Sequence, residues 1–195
     1  MTPLRMQLAK WREYSEIAEV GEIARRYFAM NAFDGVLTII GVLMGNLMGG
    51  VQDSRVVVVT GLSTSLAMGV SGLWGSYLTE SAERRHDIEE LQKQTLTDLH
   101  DTKIGKASRM AAVIVAIVDG LSPFLASLVV LIPFFFAGWF PAVTWAYYVA
   151  ISMALCTLFG LGIFLGHISK ENLLISGVKT TVAGIVSISL SYFLE

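Results

Sequence analysis

The stretch FDGVLTIIGVLMG, Phe33–Gly45, decides the fold, because it reads as part of a membrane-spanning helix that nevertheless carries an acid, Asp34, near its start. A carboxylate near the middle of such a helix costs about 2.5 to 3.5 kcal/mol on insertion scales, and less towards its ends. Asp34 therefore asks for a partner, a water-filled cavity or a cation.

The apolar character extends outward from this stretch over Phe28 to Gly50 and recurs over Val56 to Thr79, Met110 to Phe136, Ala142 to Gly166 and Leu173 to Leu194. Each run is long enough to cross a hydrocarbon core of about 30 Å, which takes about 20 helical residues. The chain has 195 residues, of which 54% are hydrophobic and 15% charged. Its mean hydropathy of +0.62 exceeds that of a soluble domain. The expected fold class is an all-α integral membrane protein with five transmembrane helices. Residues 1–27 read as an amphipathic cytoplasmic N-terminal helix, 28–79 as helices 1 and 2, 80–109 as a short helical cytoplasmic segment of acids and bases, and 110–195 as helices 3 to 5. The N-terminal segment lacks the uninterrupted apolar core of a signal peptide. Cys156, the only cysteine, excludes an internal disulfide.

Basic residues orient the chain. Arg5, Lys10, Arg12, Arg25 and Arg26 precede the first span, Arg84, Arg85, Lys93, Lys103, Lys106 and Arg109 follow the second, and Lys170 follows the fourth. The other two loops offer only Arg55. By the positive-inside rule the N-terminus is cytoplasmic and the C-terminus outside, in a multi-pass protein of the cell membrane. The near-balance of 14 bases and 16 acids argues against a nucleic-acid partner.

In the first span Asn31, Asp34, Thr38, Gly41, Gly45 and Gly49 recur every three or four residues and share one helical face. The three glycines form a tandem GxxxG that lets another backbone approach, and such a face turned towards protein would hide Asp34 from lipid. The third span repeats the motif as Asp119-Gly120. Pro123 has no N–H to give the carbonyl of Asp119, which is expected to lie free at the level of the carboxylate, as in the broken helices of transporter cation sites. Lys179, in the fifth span, has two readings: it snorkels to the interface, or it pairs with Asp34 or Asp119 until a cation or proton displaces it.

The 80–109 segment places Glu83, Asp87 and Glu90 on one face of a helix beginning near Glu80, with His86 beside them and Asp98, His100 and Asp101 beyond. Carboxylates with imidazole suit divalent transition metals. A solvated helix laced by pairs such as Glu89 with Lys93 explains the same residues. The N-terminal acids Glu13, Glu16, Glu19 and Glu22 drift around a helix at three-residue spacing and define no face.

FDGVLTIIGVLMG resembles the Asp-Gly-Leu-Val-Thr signature of the vacuolar iron transporter family, and ISGVKTTVAGIVSISLSYFL resembles that family's closing helix. The resemblance implies five spans, an acidic cytoplasmic segment after the second, a dimeric assembly, and a place for Asp34 on the metal path. Where the family's second span reads Ser-Met-x-x-Gly-Glu, this chain has SGLWGS, with Gly72 at the methionine position, Ser76 at the glutamate position and Met68 one turn earlier. The cytoplasmic segment is also shorter than in full-length iron transporters. A small, divergent prokaryotic member is implied.

Asp34, Asp119, Asn31 and a backbone carbonyl make an oxygen-dominated donor set suited to harder ions such as manganese, magnesium, calcium or iron(II), which Met68, with Met30, Met44 and Met48, would soften if it is not a packing residue. The expected function is export of Fe2+ or Mn2+ from the cytoplasm by a homodimer, in exchange for protons carried by Asp34 and Asp119, with Lys179 as a third coupling residue. The transported cation is the expected metal, and no permanently bound cofactor is expected. No nucleotide-binding motif points to a primary pump. A passive cation channel or a structural or regulatory subunit are the alternatives. An enzyme using the two acids would need His or Ser beside them, yet the three histidines lie in or beside the loops.

Overall fold

The computed structural model describes residues 20–99 and 102–193. Most of the expected N-terminal helix falls outside these residues, as do His100 and Asp101. The described chain is all-α, with five helices long and apolar enough to cross a membrane. They are α1 (Val20–Met48), α2 (Ser54–Thr95), α3 (Lys103–Phe135), α4 (Val143–Ser169) and α5 (Leu173–Tyr192), with a 3-10 turn at Ala137–Trp139 before α4. All five expected spans are present, and the helices overrun them mainly at their charged ends. The second span and much of the 80–109 segment form one helix of 42 residues. At 1.5 Å per residue it is about 63 Å long, roughly twice the hydrocarbon thickness, so its charged end projects from the bilayer.

The chain divides into two compact units. One comprises α2 from Val70, α3 as far as Leu121, and the start of α1 up to Phe28; the other comprises residues 29–69 and 122–195. In the larger unit Val36, Ile39, Ile40, Leu43 and Met44 of α1 pack with Val57, Val130, Leu131, Phe134, Tyr147, Ala150, Ala154 and Leu158. This buried stripe of α1 recurs at helical spacing, away from the glycine face. The Tyr147 hydroxyl donates to the carbonyl of Val51 at 3.0 Å, anchoring α4 to the α1–α2 turn. That turn uses Gly50 at φ +70, a left-handed conformation costly for a side chain, and Asp53 then accepts from the N–H of Arg55 at the start of α2.

α4 and α5 form a hairpin of closely packed backbones. Added methyl groups at Gly162 and Gly184 would strike Thr180 and Leu158 respectively, and the Thr180 hydroxyl donates to the carbonyl of Leu158 at 2.8 Å. Small residues at contacts are how helices associate where lipid removes the hydrophobic drive. The turn is set by Lys170 in the left-handed region and by Asn172, whose side chain caps α5 through the N–H groups of Leu174 and Ile175. Around the α3–α4 connection Phe136, Trp139, Trp145 and Tyr148 are exposed, as are Tyr192 and Phe193 at the end of α5. The amphipathic tryptophan and tyrosine rings among them suit the headgroup level of a bilayer.

Candidate metal path

Gly35 explains the motif that holds Asp34. A methyl group there would fall 2.5 Å from the Pro123 carbonyl oxygen and 2.6 Å from its Cα, so α1 and α3 meet backbone to backbone at this level. The Ser127 hydroxyl bridges the contact, within 2.6 Å of the Pro123 carbonyl and 3.2 Å of the Gly35 carbonyl. The Asp-Gly pair thus puts a carboxylate beside a fixed helix crossing.

That carboxylate does not point into this crossing. Asp34 is exposed, with no hydrogen bond or ion pair among the described residues. Gly41 and Gly45, farther along the same face, are also exposed, and methyl groups on either would meet nothing within 4 Å. The expected small-residue face is therefore present but is turned away from the chain's own core. Asn31 is half-buried near the start of the face, and Met68 is half-buried in α2.

Asp119 lies in the other unit and is half-buried. Its carbonyl was expected to stand free because of Pro123. Instead α2 covers it: a methyl group on Gly72 would lie 3.0 Å from that oxygen. α3 also runs unbroken through Pro123 and Pro133. The backbone oxygen is thus packed against a neighbouring helix within the chain. Gly72, at the family's methionine position, serves this approach, and the hydroxyl of Ser76, at the glutamate position, is buried with no hydrogen-bond partner among the described residues.

Sequence reasoning missed the acid that α2 buries beside this region. Glu80 is 9% exposed; its two oxygens accept from the Tyr27 hydroxyl at 2.9 Å and from Arg84 Nε at 3.0 Å. Asp119 is close enough to act electrostatically on Tyr27 as well. The available signal was the i,i+4 spacing of Glu80 and Arg84 just past the second span.

The remaining expected donors are dispersed. Glu83, His86, Asp87 and Glu90 are all exposed on α2, and Arg85 pairs with Glu89 at 3.0 Å rather than Glu89 with Lys93. The hydrogen bond from Arg85 holds the Glu89 carboxyl below the usual range. Lys179 pairs with Glu171 at 3.6 Å with both side chains largely exposed, which is the interfacial alternative rather than an ion pair with Asp34. Among the described residues no group of three or more His, Cys, Asp or Glu stands together as a metal site within one chain.

A sequence profile of the VIT family matches residues 26–103 and 95–194. The chain is also 33% identical over 177 residues to an uncharacterized protein of Methanocaldococcus jannaschii, with 89% of each chain covered.

Proposed function

The chain belongs to the VIT family, that of the vacuolar iron transporters, and from that premise we propose that a homodimer of it exports Fe2+ or Mn2+ from the cytoplasm in exchange for protons. The family's members are transporters rather than enzymes, and a metal-transport role comes with membership. The ion, the direction and the coupling rest on the residues.

The carrying observation is Asp34, exposed on a membrane-spanning helix whose glycine face has room for another backbone. A lipid-facing carboxylate is costly, and a tandem GxxxG with open space beside it accepts a second helix. A symmetric second copy satisfies both conditions, because an isologous contact brings the same face of each protomer together. Two copies of Asp34 then share one water-accessible path, with Asn31 and Met68 as accessory donors; Asp119 is assigned to transport as the second intramembrane acid. Oxygen donors with one thioether suit iron(II) and manganese(II). Carboxylates that release a metal can take up protons in its place, which makes exchange the natural coupling. With the basic residues inside, the charged end of α2 projects into the cytoplasm.

Proteoliposomes with an internal pH dye test this reading. Fe2+ or Mn2+ entering the vesicles is expected to drive protons out, and an opposing pH gradient to change the metal rate. Metal movement without proton counterflow would leave the passive channel; no metal movement would leave the structural subunit. Alanine at Glu83, His86, Asp87 and Glu90 together is expected to raise the apparent KM by no more than about threefold, since exposed charges on a solvated helix act mainly by steering. A collapse of transport in that variant would place a required site on the projecting helix instead.

A further inference from the structure

We propose that the cavity between α2 and α3, where their apolar parts give way to charged sequence, binds the phosphate headgroup of an acidic phospholipid. Its volume is about 410 Å³, and its walls are Tyr77, Ser81, Arg84, Arg85 and Ile88 of α2 and Gly105, Ser108, Arg109, Ala112 and Val113 of α3. The lining thus holds three arginines and two serine hydroxyls but no acid. Arg84 and Arg85 meet acids just outside it. Arg84 is held by Glu80 through Nε, which fixes the side chain and leaves its terminal nitrogens as donors. Arg85 meets Glu89 in an exposed pair, an arrangement of small net worth that a doubly coordinated phosphate oxygen can displace. Arg109 adds a third guanidinium from the facing helix.

The surface leading away from the cavity favours a lipid over a soluble anion. Val70, Leu73 and Tyr77 on α2 are exposed at helical spacing, and so are Val113, Ile117 and Leu121 on α3. Each row starts at the cavity and runs towards the bilayer interior, giving acyl chains an apolar track below the arginines. A basic pocket between membrane helices at the headgroup level, continued by such a track, matches the amphipathic shape of an anionic lipid. The small-residue face of α1 and the acids of the metal path take no part in it.

The test is native mass spectrometry of the full chain in detergent, titrated with phosphatidylglycerol or with phosphatidylcholine. Phosphatidylglycerol should bind in preference, and Arg85→Gln with Arg109→Gln should weaken that binding about tenfold or more, on the usual scale for two basic contacts at a membrane surface. Lys93→Gln with Lys170→Gln removes the same charge away from the cavity and should leave the preference intact. Ser108→Asp, which keeps every arginine and adds an anion to the wall, should reproduce the loss. Excess inorganic phosphate should not displace the lipid. Equal lipid binding by the arginine variant and the unaltered protein would overturn the proposal, as would equal loss in the lysine control. Displacement by inorganic phosphate would also overturn it, in favour of a site for the soluble anion.

Discussion

Asp34→Asn is expected to reduce metal flux into proteoliposomes to background while leaving the protein folded. The two halves of this expectation have separate causes. Asp34 makes no ion pair or hydrogen bond among the described residues, and its side chain is exposed, so an amide of the same size removes no contact that holds the chain together. Within the bilayer the neutral amide is also cheaper to insert than the carboxylate. Thermal unfolding of the variant in detergent should therefore occur at or slightly above that of the unaltered protein. What the substitution removes is negative charge, and a divalent cation leaving its hydration shell needs charged oxygen donors to replace it. In a homodimer the loss is doubled, because each substitution appears twice on one path. Asp119→Asn should lower flux as well if the second acid lies on the same route. Retention of normal flux by Asp34→Asn, with unchanged stability, would separate this residue from transport.

The five spans were legible because length and hydropathy suffice to identify a membrane helix, and no tertiary information is needed. The Asp-Gly pair of the first span was legible as an anomaly, since an acid among apolar residues is expensive wherever it points. Its surroundings were not legible. Helical spacing showed that Asp34 shares a face with Gly41 and Gly45, but periodicity does not say whether a face meets the chain's own core or something else. Open space beside both glycines decides that point. The carbonyl of Asp119 failed for a related reason. Pro123 removes a donor along the helix, yet the group that covers the oxygen comes from Gly72, on a different helix, and local rules are blind to it. For Lys179 the sequence left two readings, snorkelling to the interface or pairing with a distant acid, and its exposed pair with Glu171 matches the first. Glu80 escaped attention because it stands at the edge of a charged segment, where solvent exposure is the ordinary expectation.

Gly35→Ala and the paired change Gly41→Ala with Gly45→Ala should separate the fold of one chain from the assembly of two. All three glycines lie on the first span and look alike in sequence. Their environments differ. The methyl group at Gly35 would meet the backbone of Pro123, including its carbonyl oxygen at 2.5 Å, and the Ser127 bridge ties the two helices at that point. Backbone cannot swing aside as a side chain does, so α1 and α3 must move apart, at a cost of about 3 kcal/mol, the upper end for overpacking. Loss of folded, detergent-stable protein is the expected outcome. Gly61→Ala makes a useful comparison, because the nearest atoms to its new methyl belong to the end of the Leu131 side chain, which can change rotamer, and a smaller loss should follow. At Gly41 and Gly45 nothing lies within 4 Å, and alanine favours a helix interior by about 1 kcal/mol over glycine. The chain carrying both changes should fold at least as well as the original. If those positions face a second copy, the same methyl groups hold two backbones apart, and the dimer should dissociate at higher protein concentration than the unaltered protein in size-exclusion chromatography with light scattering. Metal flux should fall with it, since each Asp34 then faces lipid instead of its counterpart. A double variant that remains fully dimeric and fully active would move the contact between protomers to another face.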